Sequence, residues 1–329
     1  IQSNIEHRGS PTVSQLVNEY IEKWAKPRKR TWEEDARMLS KDVIPNLGKR
    51  KAKDIKRRDI VLLIDEIVDR NSPITANRTL RIIKKMFSFA VKRGVLDASP
   101  CMEIDPPAKE NQRERVLTEE EIKMFWLGVD KAKMSDATKL VLRLLLITAQ
   151  RKAEVSQAEW SEIDLRNMWW TIPKERSKNE RIHRVPLSPM ALDIFRQAKV
   201  RLGDSKWVFP SSKGQPITPR SISRAIRNNS EKKSSDNRKH TPPYGDFFKI
   251  DHFTPHDLRR TATSMMTSLK IAELDVSKVL NHTIQTVTSR HYNHYTYDKE
   301  KQQALETWDR KLNSILTGKK AKVVNLKRK

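Results

Sequence analysis

Six polar side chains suited to moving a phosphoryl group occur in order through the sequence: Arg151, Lys178, His256, Arg259, His282 and Tyr292. Two guanidiniums can hold the non-bridging oxygens of a phosphodiester and stabilise the charge that gathers on them in the transition state. A tyrosine hydroxyl is a nucleophile that can also leave, so the step can run backward. Lysine and histidine supply proton transfers. This set needs no metal and no cofactor. Each member has a plainer explanation when taken alone. Arg151 with Glu154 one turn on could be an ordinary helix salt bridge, and Lys178 could simply extend into solvent. The stretch "SRHYNHYTY" (289–297) gathers Tyr292, Tyr295 and Tyr297 out of 5 tyrosines in the chain, so the three compete for the same role. His282, His291 and His294 raise the alternative of a metal site, but neither a thiol nor a well-placed carboxylate completes it, so none is expected.

Positioning these groups takes buried elements. "LRLLLITAQ" (142–150) delivers Arg151 from the end of an apolar helix, and Glu154 lies on the same face, where a carboxylate can fix the guanidinium. "TPHDLRRTATSMM" (254–266) starts a helix at Thr254–Pro255 and sets His256 and Arg259 near its N-terminus, which favours an anion such as phosphate. Ala262 and Met266 share the face of Arg259, so that guanidinium is expected to be at least half buried and to need an anionic partner. "MWWTIP" (168–173) and "RIHRVPL" (181–187) flank a polar loop and predict a hairpin carrying Lys178. Helices are expected over 188–202, 218–229, 256–269, 272–281, 284–294 and 298–315. His282 ends one of them and Tyr292 stands on the next. The polar, proline-broken stretch 228–252 predicts a surface insertion.

The preceding part of the chain shows helical periodicity only. Val13, Leu16, Val17, Tyr20, Ile21 and Trp24 share a face behind the N-cap Thr12, and further helices are expected over 58–70 and 74–94. The chain therefore divides into an N-terminal extension (1–11), a helical domain (12–98), an extended proline-containing linker (99–116), a second domain (117–318) opened by the capping box "TEEE", and a tail (319–329). The fold class is mainly α with a small antiparallel β-sheet. A net charge of +25 points to a polyanion, and nucleic acid is the commonest one. Both domains are basic and the linker is not, which suggests a two-domain clamp around a duplex. Lys26, Arg28, Lys29, Arg30, Lys49, Arg50, Lys51, Arg78, Arg81, Lys84 and Lys85 are the candidate DNA-binding residues of the first domain. The single Cys101 excludes an internal disulfide and suits a reducing cytoplasm. "LVLRLLLITA" (140–149) is too short to span a bilayer, and "IQSNIEHRGS" has no apolar core, so neither a membrane span nor a signal peptide is expected.

The order R-x-x-E (151–154), Lys178 in a hairpin, H-x-x-R (256–259), "LNH" ending at His282 and a tyrosine ten residues later resembles the tyrosine recombinases. "TAQRKAEVSQAEWSEIDL", "FTPHDLRRTATS" and "EKQQALETW" look like integrases of phages and genomic islands, and the resemblance runs from about residue 12 to the C-terminus. It implies a helical core-binding domain and a mixed α/β catalytic domain. It implies that Arg151 and Arg259 bind the scissile phosphate, that Lys178 protonates the leaving 5′-oxygen, that His256 assists proton transfer at the tyrosine, that His282 hydrogen-bonds the phosphate, and that Glu154 is structural support. Tyr292 is the nucleophile by its spacing from His282, leaving Tyr295 and Tyr297 to packing. The family usually has glycine where this chain has Asn281, and asparagine tolerates the left-handed backbone glycine would adopt.

The implied activity is site-specific recombination at double-stranded DNA attachment sites for integration or excision of a mobile element. It passes through a 3′-phosphotyrosine and needs neither ATP nor metal. The implied assembly is a homotetramer on two sites, with accessory bending or directionality proteins as further partners and no membrane. The place is the cytoplasm of a bacterial host, at the nucleoid when bound. Full-length relatives of this type carry a further N-terminal arm-binding domain that nothing here matches, so the chain is expected to be a truncation or a branch without it. "AKVVNL" (321–326) reads either as part of a disordered basic tail that touches phosphates or as an exchanged edge strand added to the 168–187 sheet of a neighbouring protomer. A type IB topoisomerase-like strand transferase, a metal-dependent nuclease and a non-catalytic DNA-binding protein are the alternatives. For the nuclease, "ERSK" puts Arg176 where an acid is required.

Overall fold

The computed structural model describes residues 10–111, 113–230, 244–282 and 295–319. The expected helix 284–294, with Tyr292, and the tail strand 321–326 lie outside the described residues. The chain divides into two compact units at residues 113 and 114.

The first unit is helical. Thr12 caps α1 (Val13–Tyr20) in a reciprocal box, its hydroxyl accepting from the Gln15 backbone N–H at 3.2 Å while Gln15 Oε1 accepts from the Thr12 backbone N–H at 2.8 Å. The helix then passes through a π-helical stretch, Ile21–Ala25, into Lys26–Arg28. Next comes α2 (Trp32–Met38), which continues through Leu39–Val43 to Ile44–Leu47. The periodicity did not reveal this element, because its inward face carries carboxylates. Asp35 is buried against Lys29 at 2.5 Å and the Tyr20 hydroxyl at 3.0 Å, and Asp42 is buried against Arg70 at 2.7 Å. The expected helices appear as α3 (Arg57–Asp69) and α4 (Pro73–Lys92), and Leu16, Tyr20, Leu39, Ile60, Leu80, Ile83 and Phe87 fill the core. The segment expected as a linker is extended but strapped down. Cys101 and Ile104 join this core, Lys84 donates to the Ile104 carbonyl, and Asn77 binds both backbone groups of Ala108.

The second unit is built around α6 (Asp136–Thr148), buried along almost its whole length. It packs against α5 (Glu119–Lys131), α7 (Lys152–Ser156), α8 (Pro189–Arg201), α10 (Pro255–Ser268) and α12 (Asp298–Thr317). Between α7 and α8 lies an antiparallel sheet of order β1 (Ile163–Asp164), β2 (Trp169–Ile172) and β3 (His183–Pro186), with Trp170 opposite Val185. The hairpin is the expected one. The additional strand, β1, is too short to show alternation. Among the described residues this unit also holds α9 (Pro219–Ser230) and α11 (Glu273–Val279). Among the described residues no helix is long and apolar enough to cross a membrane.

The stretch 228–252 is not a surface insertion at its C-terminal end. The Phe247 amide bonds the Asn229 carbonyl at 2.9 Å, and Phe248 is buried with Phe125 and Phe253, its ring 6.0 and 5.1 Å from theirs. Two adjacent phenylalanines among polar residues gave no period to read. Gly128 in α5 makes the close approach possible, since a Cβ there would stand 2.7 Å from the Phe247 carbonyl oxygen and 3.0 Å from the Phe248 Cα. Alanine in a helix ordinarily gains about 1 kcal/mol over glycine. Here backbone crowding reverses the sign, and Gly128→Ala should cost about 1–3 kcal/mol and lower the melting temperature. A raised melting temperature would contradict this packing.

Candidate active site

Arg259, on α10, is only 5% exposed. Its guanidinium donates to the Ala149 carbonyl at 2.6 Å and the Leu280 carbonyl at 2.7 Å, and lies 3.4 Å from His282 Nε2. The anionic partner expected for it is not among these contacts; two backbone carbonyls take its hydrogens instead. Burial first, then the charge of Arg151, brings its pKa down to about 10, so it stays cationic at neutral pH. Through these bonds one side chain fixes the turn before Arg151 and the turn before His282.

Arg151 enters the same space from the start of α7. Ala149 ends α6 in the left-handed region (φ 56°), which turns the chain sharply. Glu154 then accepts from both the amide and the guanidinium of Arg151, each at 3.1 Å, as expected. Gln150, between them, is fully buried and donates to the carbonyls of Thr148 and Val279 at 2.8 and 2.9 Å. His256 stands exposed in the first turn of α10. The buried part of its ring, then the charges of Arg260 and Arg259, hold its pKa below the ordinary imidazole value. His282 follows α11, and partial burial and the charges of Arg259, Arg151, Lys178 and His256 depress it likewise. These five groups thus share one electrostatic neighbourhood.

Lys178 is exposed in the loop between β2 and β3. Arg176 anchors that loop with two bonds to the buried Glu162 at 2.6 and 2.7 Å and one to the Glu154 carbonyl at 3.1 Å. Asn281 has φ 50°, the left-handed backbone expected of it. Its side chain donates to Ser177 Oγ at 3.0 Å, and its carbonyl accepts from Asn179 and, at 3.4 Å, from Arg151. Tyr295 is exposed and donates to Glu300 at 3.0 Å, which raises its pKa. Tyr297 caps α12 beneath Lys278, whose ammonium is 4.3 Å from the ring centroid. Tyr292, His291 and His294 lie outside the described residues. Among the described residues no group of three His, Cys, Asp or Glu could hold a metal.

The candidate DNA-binding residues of the first unit separate. Lys29, Arg81, Lys84 and Lys85 line one groove with Tyr20 and Asp35. Of these, Lys29 is bound to Asp35 and Lys84 to a carbonyl. Lys26 pairs with Glu22 at 3.1 Å and Arg28 bonds the Lys23 carbonyl at 3.2 Å. Arg50 pairs with Asp59 at 2.7 Å and Lys51 bonds the Ser10 carbonyl at 2.7 Å. Arg30, Lys49 and Arg78 are exposed. Sequence reasoning missed a basic face on α9. Arg220, Arg224 and Arg227 are exposed opposite the buried Ile222 and Ile226, and Lys152, next to Arg151, reaches Ser223 on the same helix at 3.0 Å. The arginine spacing was the available signal. It also missed His183, Gln150, Ser177 and Asn179, which carry no pattern of their own.

Residues 115–299 match the model of the phage integrase family, and residues 13–106 that of the phage integrase central domain. Prophage integrase IntA of Escherichia coli K12 is 27% identical over 215 residues, covering 63% of this chain and 52% of that protein. Prophage integrase IntZ of the same strain is 32% identical over 191 residues, covering 57% and 47%. The chain spans about half the length of these curated relatives. A lambda integrase dimer bound to a COC′ core site shares the fold with a TM-score of 0.67 at 17% identity, over 89% of this chain and 80% of that one. A lambda integrase tetramer bound to a Holliday junction gives the same score over 87% and 82%.

His183 ties β3 to this site, its Nε2 lying 3.1 Å from the Val279 carbonyl and 3.2 Å from Gln150 Oε1. Burial, then the Lys301 charge, lowers its pKa to about 3. The unfolded chain therefore takes up the proton first as pH falls below about 6.5. Stability should drop from there toward pH 3, by up to about 1.4 kcal/mol per pH unit. Urea unfolding between pH 7 and 5 should show this slope, and His183→Gln, which keeps a donor near the Nε2 position, should flatten it. An unchanged slope in the variant would assign the acid sensitivity elsewhere.

Proposed function

Because the chain belongs to the phage integrase family, we propose that it is a site-specific DNA recombinase that cuts and rejoins duplex DNA through a 3′-phosphotyrosine. The carrying observation is the convergence of two guanidiniums and two depressed-pKa histidines at one place, beside the loop that bears Lys178. Arg151, held by Glu154, and Arg259, held by two carbonyls, clamp the non-bridging oxygens of the scissile phosphate. Both are fixed before substrate arrives, so little reorganisation is spent at the transition state. His282 donates a third hydrogen bond to the phosphate. The Tyr292 oxygen forms the new bond to phosphorus as its proton departs with help from His256. The bond to the 5′-oxygen breaks, and Lys178 protonates that leaving oxygen. A 5′-hydroxyl from the partner strand reverses each change. The covalent link keeps the bond energy, so no ATP is consumed, and the guanidiniums take the place of a metal.

The substrates are double-stranded attachment sites, two of them joined by four copies of the chain, with accessory bending or directionality proteins as further partners. The reaction takes place at the bacterial nucleoid. The arginine face of α9 and the groove between α1 and α4 supply phosphate contacts, so binding weakens steeply with salt.

A nicked suicide duplex taken from the boundary of the DNA element encoding the chain tests this reading. The chain should form a denaturant-resistant adduct in the presence of EDTA. Tyr292→Phe should abolish the adduct at unchanged affinity, while Tyr295→Phe and Tyr297→Phe retain it. Adduct formation by Tyr292→Phe would move the nucleophile elsewhere. Arg151→Lys should slow cleavage by about 10²–10³-fold with affinity little changed, because an ammonium lacks the two-pronged donor geometry. Near-normal cleavage by that variant would remove Arg151 from the clamp.

A further inference from the structure

Lys178 is exposed, and a proton donor on a freely moving loop would spend little time in place. Residues on both sides of Lys178 are bonded to Asn281. The Asn281 side chain donates to Oγ of the fully buried Ser177 at 3.0 Å, and Asn179 donates to the Asn281 carbonyl. That carbonyl also receives Arg151 at 3.4 Å. Asn281 immediately precedes His282, whose own amide is fixed to the Ser277 carbonyl at 2.9 Å. A residue chosen only for its positive φ would need no side chain, and glycine would serve better. The side chain present here makes a bond that glycine cannot make.

We propose that Asn281 is a positioning residue that docks the Lys178 loop onto the phosphate-binding site, so that Lys178 meets the leaving oxygen already aligned. The inference rests on the reading of Lys178 as the acid. It adds that this chain stabilises the docked loop from the turn before His282, by a side-chain bond to Ser177. Removing that bond leaves the Asn281 backbone, both guanidiniums and the DNA-binding faces intact. The loss should therefore fall on the protonated departure of the 5′-oxygen.

The experiment compares the full chain with Asn281→Gly on two suicide duplexes, one with a normal scissile phosphodiester and one with sulfur in place of the bridging 5′-oxygen. Glycine accepts φ 50° without strain, so the fold should persist, which the melting temperature checks. On the normal duplex, Asn281→Gly should cleave about five- to tenfold more slowly at unchanged affinity, the effect of one lost hydrogen bond. On the sulfur duplex the two proteins should cleave at equal rates. A thiol of pKa about 8.5 leaves as the thiolate and needs no proton. Ser177→Ala should show the same deficit and rescue, and the double variant should be no slower than either single one. Hydrogen exchange over 174–180 should also quicken in Asn281→Gly.

Equal rates on the normal duplex would overturn the proposal, and so would a deficit that sulfur does not relieve. Lys178→Ala separates the levels. If sulfur rescues Lys178→Ala but not Asn281→Gly, Asn281 acts elsewhere and the acid assignment stands. If sulfur rescues neither, the acid assignment falls and takes this inference with it.

Discussion

The burial of Arg259 with no carboxylate in hydrogen-bonding reach among the described residues governs the site. A cation taken out of water needs its hydrogens received, and the Ala149 and Leu280 carbonyls receive them. Carbonyls satisfy hydrogen bonds but cancel little charge, so the site keeps a net positive potential where an ion pair would have quenched it. Partial burial depresses His256 and His282 first, the surrounding positive charge adds to it, and that same charge favours a phosphate. The same two bonds set the spacing between the turn before Arg151 and the turn before His282. Geometry and electrostatics at this site therefore have a common origin.

Around that centre, polar groups are held by backbone more than by each other. Gln150 spans Thr148 and Val279, His183 reaches Val279, and Arg176 reaches the Glu154 carbonyl. The bonds to Val279 and to the Glu154 carbonyl join elements far apart in sequence. Two carboxylates take part as well: Glu162 pairs with Arg176, and Glu154 holds Arg151 in the fixed orientation a bidentate clamp requires.

Much of this was legible in the sequence. Apolar periodicity marked α1, α3, α4 and the hairpin, and the arginine and histidine candidates were found because buried helices delivered them. What stayed hidden had no period. The inward carboxylates Asp35 and Asp42 disguised α2, and Phe247 and Phe248 looked like part of a polar insertion. The acceptors that hold Arg259 in the fold stayed hidden because sequence patterns show side chains, and these acceptors are backbone oxygens. Asn281 was read correctly for its φ, but its bond to Ser177 joins residues 104 positions apart, beyond the reach of any local pattern.

Long separations also set when the site can exist during synthesis. The bonds from Gln150 to Val279 and from Arg151 to Asn281 span 129 and 130 positions, and Arg259 to Ala149 spans 110. At a ribosomal rate of about 5–20 residues per second, the guanidinium of Arg151 emerges several seconds before the turns that aim it. The growing chain is strongly basic throughout that interval. Because the bonds that aim Arg151 close only after residue 281 has emerged, a chain broken off before that point carries the guanidinium without the turn that holds it.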